Sequence, residues 1–270
     1  MSIIEAIVLG ILQGATEFLP ISSSGHLVLI PAIFGLTPPD LTLIAVAHGG
    51  TLLAVLVFFR RELWSIAKNM VSGLWHRNLL GTPDARLGWL IVVGSIPTAV
   101  VGTLFNGYFD RIFSNAVSAA FFLLVTAGLL VIAEKRFKGN KPLSNMSWWD
   151  SLIIGVFQML ALIPGISRSG STIVAGIFRG FNRDTSARYS FLLGVPVILG
   201  AGILQIALLI DSGNLSSQGS TLLAAFISAA VVGYACIYFL LAWLRNHSLY
   251  IFAVYCALLG GGYLLWTWIN

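Results

Sequence analysis

The sequence predicts an all-α membrane protein with six spanning helices and two re-entrant, broken-helix hairpins, arranged as an inverted-topology repeat. Three observations lead to this prediction: the composition, the length of the apolar segments, and a short motif that occurs twice. Of the 270 residues, 57% are hydrophobic and 9% are charged, whereas about 25% of a typical soluble domain is charged. This composition excludes a soluble globular domain.

Six apolar segments are long enough to cross about 30 Å of hydrocarbon as helices. The predicted spans are 41–59, 87–105, 116–133, 189–210, 221–244 and 249–269. Two further apolar regions, 3–36 and 152–178, are interrupted near their middles by polar residues, glycine and proline. Irregular backbone at membrane depth must be buried in protein or face a cavity, because unpaired N–H and C=O groups are costly in lipid. We therefore predict two hairpins whose polar tips meet inside the bilayer.

The two interrupted regions share a sequence motif. Aligning GILQGATEFLPISSSGH (10–26) with GVFQMLALIPGISRSGS (155–171) gives six identities in 17 positions, which indicates an internal duplication. Each half then holds one hairpin and three spans, and an odd number of crossings inverts the second half. The predicted repeats are residues 1–140 and 148–270 of a single membrane domain.

The basic residues predict the same topology independently, because cytoplasmic loops carry an excess of Lys and Arg. On the side of the membrane predicted to be outside the cytoplasm, the loops contain one basic residue, Arg111, and the loop 211–220 contains none. Thirteen of the 15 basic residues fall on one side, here called the basic face and predicted to be cytoplasmic: Arg60, Arg61, Lys68, Arg77, Arg86, Lys135, Arg136, Lys138, Lys141, Arg179, Arg183, Arg188 and Arg245. This distribution over short loops indicates membrane orientation and not nucleic-acid binding.

Each polar tip contains one ionisable residue that stands apart from the loops. Glu17 is the acidic residue placed deep in an apolar region, and Arg168 is the basic residue placed likewise. A charged side chain in the membrane costs at least about 2.5 kcal/mol on insertion scales, so each is a candidate functional residue. The structural alternative is a salt bridge between Glu17 and Arg168 that only holds the two halves together.

The residue types in the tips are suited to phosphate chemistry. Both tips precede segments that can restart as helices, and a helix N-terminus with a nearby Arg guanidinium favours an anion. Gln13 and Glu17 share one helical face and are followed by Ser23 and His26 after the break at Pro20. These side chains are an inventory for metal-assisted phosphoryl transfer. His48, in the first span, is interpreted as a structural histidine.

Two motifs resemble those of the undecaprenyl-diphosphate phosphatase family of bacterial inner membranes, the bacitracin-resistance type. They are Gln-x-x-x-Glu at 13–17 and PGISRSGST at 164–172, and the resemblance covers essentially the whole chain. It implies hydrolysis of a polyprenyl diphosphate to the monophosphate and inorganic phosphate, which recycles the cell-wall carrier lipid. It also implies dependence on Mg²⁺ or Ca²⁺ and a site open to the outer, periplasmic side of the inner membrane.

The resemblance assigns catalytic roles to Glu17, Ser23, His26 and Arg168, and metal binding to Glu17 with Gln13. Many family members have Glu at the position of Gln13. The predicted phosphate-binding set is Ser22, Ser24, Gly165, Ser167, Ser169 and Thr172. Each hydroxyl in this set has a structural alternative, which is to satisfy the broken backbone.

Two questions stay open at the level of sequence. Ser23, with His26 or Glu17 as base, could attack the terminal phosphorus, or His26 could attack it directly, or either could activate a water. A transporter or flippase of the polyprenyl phosphate carrier is the alternative function, because inverted repeats with broken helices are typical of transporters. The expected partners are the polyprenyl pyrophosphate and the lipid bilayer, with no nucleic acid; a homodimer is compatible with the sequence.

Overall fold

A computed structural model describes residues 2–37, 39–105, 115–212 and 219–269. Arg111 and residues 213–218 of the predicted loop 211–220 lie outside the described residues. The described part contains eleven α-helices: α1 Ile3–Phe18, α2 Ser23–Phe34, α3 Leu41–Phe58, α4 Arg60–Trp75, α5 Pro83–Leu104, α6 Ala116–Arg136, α7 Trp148–Leu160, α8 Arg168–Phe178, α9 Arg183–Ser212, α10 Gly219–Leu244 and α11 Tyr250–Ile269.

Five helices, α5, α6, α9, α10 and α11, are long and apolar enough to cross a membrane, and α3 with α4 gives a sixth candidate. The five long helices and α3 correspond to the six predicted spans, and the prediction of an all-α membrane protein is confirmed. Two helices begin earlier than predicted. The Thr82 side chain caps α5 so that it starts at Pro83, and α9 starts at Arg183.

Helix α4 was not expected, because the sequence predicts only a basic loop after the first span. The chain bends by 81° between α3 and α4. Ile66 and Gly73 are buried on one side of α4, while Arg60, Arg61 and Lys68 are exposed. A helix with one apolar and one charged face is typical of the membrane surface. Long apolar runs do not predict α4, because its charged residues interrupt every such run.

Both predicted hairpins consist of two short helices separated by a break. In the first, the Ser22 side chain accepts a hydrogen bond from the Gly25 N–H at 3.2 Å and so caps α2. In the second, the Ser167 side chain accepts one from the Gly170 N–H at 3.0 Å and caps α8. Serine is a favoured N-cap because its oxygen satisfies one of the free N–H groups of the first turn. The aligned serines therefore restart a helix in each half.

The first limb of the second hairpin begins four residues earlier than the predicted 152. Ser147 and Asp150 form a capping box, in which each side chain accepts a hydrogen bond from the other residue's backbone. Asp150 is fully buried and also pairs with Lys141 at 2.5 Å and with Arg179 at 2.7 Å. Burial alone would raise the pKa of Asp150, but the hydrogen bonds from Lys141, Ser147 and Arg179 lower it well below the usual range.

The two halves are interleaved. Helix α1 packs along α10 of the second half, and α7 packs along α5 of the first. A Cβ atom at Gly10 would lie 2.4 Å from the Ala225 carbonyl oxygen, and one at Gly155 would lie 2.1 Å from the Gly94 carbonyl oxygen. Gly10 and Gly155 are aligned in the repeat, so both halves require glycine for the same close helix contact. The inverted orientation of the repeats stays a prediction.

Ion pairs join helix ends on the basic face. Arg183 binds Glu134 with two hydrogen bonds, of 2.8 and 2.5 Å, and so ties α9 to α6. The N–H of Leu249, just before α11, donates to the same carboxylate at 2.8 Å. The other pairs on this face are the Asp150 cluster, Arg188 with Glu62, and Arg245 with Asp184. These contacts join the ends of seven helices, α4 and α6 to α11, on this side.

Candidate active site

The two polar tips meet at an ion pair between Glu17 and Arg168. Glu17 lies in the last turn of α1, and Arg168 is the first residue of α8. The Arg168 Nη2 lies 2.8 Å from the Glu17 Oε1, and the two side chains are only 15% and 7% exposed. The two charges that the sequence places deep in the membrane therefore neutralise each other across the interface between the halves.

Glu17 is also bound by the other candidates of the first tip. The Ser23 hydroxyl donates to Glu17 Oε2 at 2.8 Å, and the Gln13 Nε2 donates to the same oxygen at 3.0 Å. With Arg168, the carboxylate accepts three side-chain hydrogen bonds, and bonds to an ionised acceptor are stronger than neutral ones. Glu17, Ser23, Gln13 and Arg168 thus form one connected cluster.

His48, interpreted from the sequence as structural, faces this cluster. Its Nε2 lies 3.7 Å from Glu17 Oε2, which is too long for a hydrogen bond. Its Nδ1 lies 2.8 Å from the Ile44 carbonyl oxygen in the preceding turn of α3. The structural interpretation was therefore incomplete. A histidine in the middle of an apolar span is itself a functional signal, because polar groups there are costly.

The Arg168 guanidinium is also positioned by α9. Its Nη1 donates to the Ser190 carbonyl oxygen at 3.2 Å. Gly194, one turn further along α9, provides the room, since a Cβ atom there would lie 2.3 Å from the same Nη1. Neither Ser190 nor Gly194 was predicted. In an apolar span, a glycine that accommodates a guanidinium cannot be distinguished by sequence from one that accommodates another helix.

His26 is held apart from the Glu17 cluster. Its Nδ1 lies 2.7 Å from the Ser22 carbonyl oxygen, and its Nε2 lies 2.7 Å from the Tyr255 hydroxyl. A carbonyl only accepts, so Nδ1 carries a proton, and in the neutral ring Nε2 accepts from Tyr255. Both ring nitrogens are therefore engaged. Tyr255, on α11, was not predicted, because an aromatic residue in a span gives no signal of its own.

The second tip is held by backbone geometry as well as by hydroxyls. Gly165 has a φ angle of +94°, which favours glycine, and a Cβ atom there would lie 2.2 Å from the Ala119 carbonyl oxygen. Thr126 on α6 donates to the Gly165 carbonyl oxygen at 2.9 Å and accepts from the Ser167 N–H at 3.1 Å. Gly165, predicted to bind phosphate, has a sufficient structural reason in the turn itself.

The remaining hydroxyls of the second tip also satisfy protein groups. Ser169 donates to the Leu19 carbonyl oxygen at 3.0 Å and so links the two tips. The Thr172 Oγ1 lies 2.6 Å from the Ser190 Oγ and donates to the Arg168 carbonyl oxygen at 2.8 Å. The contacts of Ser169 and Thr172 therefore fit the structural alternative, in which these hydroxyls satisfy the broken backbone.

In the first tip, Ser22 adopts a φ angle of 70°, a conformation that is uncommon outside glycine. Its Oγ lies 3.3 Å from the Ser24 Oγ, and in the second tip the aligned Ser167 and Ser169 repeat this contact at 3.2 Å. Non-glycine residues in this region of the backbone map cluster at functional sites. The first tip therefore holds Ser23 in a turn that the surrounding structure must enforce.

Residues 6–262 match a protein family described as bacitracin resistance protein BacA. The chain belongs to this family. The matched range includes every residue of the candidate active site described above, from Gln13 to Tyr255.

Several relatives of this BacA family chain carry the name undecaprenyl-diphosphatase. One, from Methanosphaera stadtmanae, is 42% identical over 269 residues, which cover 96% of each chain. Another, from Chloroherpeton thalassium, is 44% identical over 270 residues, or 96% of this chain and 95% of the relative. A third, from Halothermothrix orenii, is 43% identical over 260 residues, or 96% of each chain.

The residues of this site fit a divalent cation only in a particular way. The described residues contain no group of three His, Cys, Asp or Glu side chains that could hold a metal ion. Glu17 is the carboxylate of the cluster, and the buried Gln13 Oε1 has no hydrogen-bond partner among the described residues. Mg²⁺ is commonly bound by one or two carboxylates together with substrate phosphates. Glu17 and Gln13 therefore fit an ion that binds together with a diphosphate, and not a preformed protein cage.

Proposed function

We propose that this chain hydrolyses undecaprenyl diphosphate, or a polyprenyl diphosphate of similar structure, to the monophosphate and inorganic phosphate. The observation that carries the proposal is the Arg168, Glu17 and Ser23 cluster at two helix N-termini in a multi-pass membrane protein of the BacA family. The relatives' name, undecaprenyl-diphosphatase, supports the same substrate. A reaction of this kind would recycle the carrier lipid of cell-wall synthesis.

Arg168 and the N-termini of α2 and α8 bind the diphosphate. A guanidinium has five N–H donors, and two of those of Arg168 are used by Glu17 and the Ser190 carbonyl oxygen. The other donors are available to the anion, and helix N-termini add N–H groups and a partial positive charge. The Arg168 side chain is 15% exposed, which is compatible with access by an anion.

Ser23 is the nucleophile, and Glu17 is its base. The Ser23 hydroxyl already donates to Glu17 Oε2 at 2.8 Å, which is within the range required for proton transfer. The Ser23 oxygen attacks the terminal phosphorus, its proton passes to Glu17, and the bond from phosphorus to the bridging oxygen breaks. The polyprenyl monophosphate leaves, and water then releases inorganic phosphate from the phosphoserine.

His26 supports the first tip and does not attack. Its Nε2 is engaged by the Tyr255 hydroxyl and its Nδ1–H by the Ser22 carbonyl oxygen, so direct attack would require both His26 and Tyr255 to move. The same two contacts hold the ring against the strained backbone of Ser22. Tyr255 is therefore a positioning residue for His26. Because His26 also holds the backbone of Ser22, Tyr255 helps to position the next residue, the nucleophile Ser23.

Glu17 and Gln13 would hold a divalent cation, Mg²⁺ or Ca²⁺, together with the substrate. When bound, such an ion neutralises charge on the phosphate oxygens. The unpartnered Gln13 Oε1 supports this proposal. Gln13 also orients Glu17 through its Nε2, and that contact is independent of any ion.

The site opens to the outer side of a bacterial inner membrane. The basic face is predicted to be cytoplasmic, and ion pairs join the helix ends on that face. These ion pairs support an opening on the opposite, outer side. A chain of this topology would receive its substrate from the outer leaflet. A homodimer, which is compatible with the sequence, would be detected by light scattering of the detergent-solubilised protein.

The experiment is phosphate release from farnesyl or longer polyprenyl diphosphate by purified protein, with and without EDTA. Glu17→Gln is expected to lose at least about 100-fold in rate, as for removal of a catalytic base. Arg168→Ala is expected to lose at least about 100-fold as well, as for removal of a group that stabilises charge in the transition state. Glu5→Gln, also on α1, and the exposed Arg136→Ala are the matched controls and should retain wild-type rates. Folded wild type that moves the lipid between leaflets but releases no phosphate would replace the proposal with the flippase.

A covalent intermediate separates the two nucleophiles. With substrate labelled on the terminal phosphate, the protein is denatured in SDS at neutral pH, which preserves both phosphoserine and phosphohistidine. His26→Ala should then carry label on serine, whereas Ser23→Ala should carry none. Label on His26 in the Ser23→Ala protein would assign the attack to histidine. Absence of label in wild type and in both variants would favour direct attack by water.

A further inference from the structure

A second basic cluster lies at the bend between α3 and α4, apart from the candidate active site. It surrounds a cavity of about 370 Å³ lined by Phe58, Phe59, Arg60, Arg61, Glu62 and Arg188. The cavity contains no residue of the Glu17 cluster, and the proposed reaction does not use it.

The cavity carries an excess of positive charge. Its one carboxylate, Glu62, is paired with Arg188 at 2.8 Å. Arg60 donates to the Val57 carbonyl oxygen at 3.1 Å, which neutralises no charge. Arg61 has no acidic partner among the described residues. Two guanidinium groups are therefore left without an anion at the mouth of one cavity.

The sequences of the helices beside the cavity predict that it lies at the height of lipid headgroups. Helix α3 is an apolar span, and α4 turns away from it by 81° as an amphipathic helix. Trp64 and Trp75 on α4 are 73% and 85% exposed, and tryptophan is enriched where a membrane meets water. The cavity therefore lies where a span leaves the hydrocarbon on the basic face.

The local sequence is unfavourable unless an anion is present. Arg60 and Arg61 occupy the first turn of α4, where the positive end of the helix dipole disfavours cations. The N-cap, Phe59, offers no side-chain hydrogen bond. Conflicts of this kind between local preference and structure are expected at functional sites.

We propose that this cavity binds the phosphate headgroup of an anionic membrane phospholipid on the basic face. Arg60 and Arg61 supply planar donors that match phosphate oxygens, and the Phe58 and Phe59 rings supply an apolar wall beside them. Basic pockets beside spanning helices on the cytoplasmic side are a recognised form of lipid binding. The ligand chemistry is a phosphate ester anion, and this site is independent of the proposed phosphatase activity.

Native mass spectrometry of the full chain, released from neutral detergent, tests the proposal. Wild type is titrated with phosphatidylglycerol, phosphatidylcholine or inorganic phosphate. Phosphatidylglycerol adducts should exceed phosphatidylcholine adducts several-fold. Arg61→Gln should weaken phosphatidylglycerol binding about five-fold, and Arg60→Gln with Arg61→Gln roughly 25-fold, as expected when one or two basic residues near an anionic lipid are removed.

Arg136→Gln is the matched control, since it removes one exposed arginine from the same face but not from the cavity. Its binding should stay within two-fold of wild type. Equal losses in Arg136→Gln and Arg61→Gln would overturn the proposal in favour of general surface attraction. Equal retention of inorganic phosphate and phosphatidylglycerol would assign the cavity to free phosphate. Arg61→Gln and Arg136→Gln should both show the elution volume and the phosphate release of the wild type. Neither arginine forms an ion pair among the described residues, so neither substitution removes one.

Discussion

Replacing Gly194 by alanine should displace the Arg168 guanidinium while leaving the fold intact. The Cβ atom of the new side chain would lie 2.3 Å from Arg168 Nη1 and 2.8 Å from its Cζ, whereas ordinary contacts begin near 3.4 Å. The guanidinium must therefore move by at least about 1 Å. Because the obstructing atoms belong to the end of a long side chain and not to backbone, α9 itself can stay in place.

The expected effect on catalysis is large, and the effect on stability is small. A misplacement of about 1 Å in a catalytic constellation can cost about 100-fold in rate. The shift also disturbs the 2.8 Å contact with Glu17, which in turn holds Ser23. Alanine is a better helix former than glycine by up to about 1 kcal/mol, which offsets part of the strain. We expect kcat/KM to fall about 100-fold and the unfolding temperature to change by only a few degrees.

The assay is phosphate release from polyprenyl diphosphate, together with thermal unfolding in the same detergent. Gly200→Ala is the matched control, because it makes the same change six residues further along α9, where a Cβ atom meets nothing within 4 Å. It should retain wild-type kcat/KM. If folded Gly194→Ala stays within about three-fold of wild type, the position of Arg168 does not control the reaction. If Gly200→Ala loses as much activity, the effect belongs to the helix.

Three further predictions concern the ion pairs and Tyr255. Glu17→Gln and Arg168→Gln should each destabilise the protein by about 3–5 kcal/mol, as for a buried charge left unpaired. The double variant should recover stability but not activity. If it recovers both stability and activity, the ion pair is structural and not catalytic. Tyr255→Phe removes the hydrogen bond to His26 but keeps the aromatic ring. It should lower kcat about ten-fold and shift the ¹⁵N NMR signals of the His26 imidazole. Unchanged imidazole signals would contradict the contact. The folded-state pKa of Asp150 is lowered, so its contribution to stability is complete above its ordinary pKa of 3.8 and is lost as the pH falls through the lowered value. Thermal unfolding should therefore show Asp150→Asn to be less stable at pH 7 but less acid-sensitive, and parallel pH profiles for the two proteins would contradict this.

The spans could be predicted from sequence because the bilayer imposes one dominant requirement, a long apolar run. The six predicted spans correspond to α3, α5, α6, α9, α10 and α11. The same criterion failed for α4, which lies at the surface and satisfies a different requirement. Residues 60–75 alternate buried and charged positions at helical spacing, and that pattern is visible in the sequence once a surface helix is considered.

The site was predictable only where its residues are out of place in lipid. Glu17 and Arg168 stand out because a charge in the membrane needs a partner. His48 carried the same signal more weakly. Gly194, Ser190 and Tyr255 lie on spans that are apolar on all sides, where periodicity gives no indication of which face meets the tips. Their roles depend on tertiary contacts between halves that are far apart in sequence.

The repeat explains why one carboxylate and one guanidinium are sufficient for this site. The alignment that pairs Ser22 with Ser167 also pairs Ser23 with Arg168 and Glu17 with Leu162. Each tip keeps the N-cap serine that restarts its helix. Only the first carries Glu17 and Ser23, the proposed base and nucleophile, and only the second carries Arg168. Because the interleaved halves place the two helix N-termini side by side, the tips supply complementary parts of one site. Leu162→Glu would put a second carboxylate near the second tip, whose segment 164–172 contains Arg168 as its one basic residue.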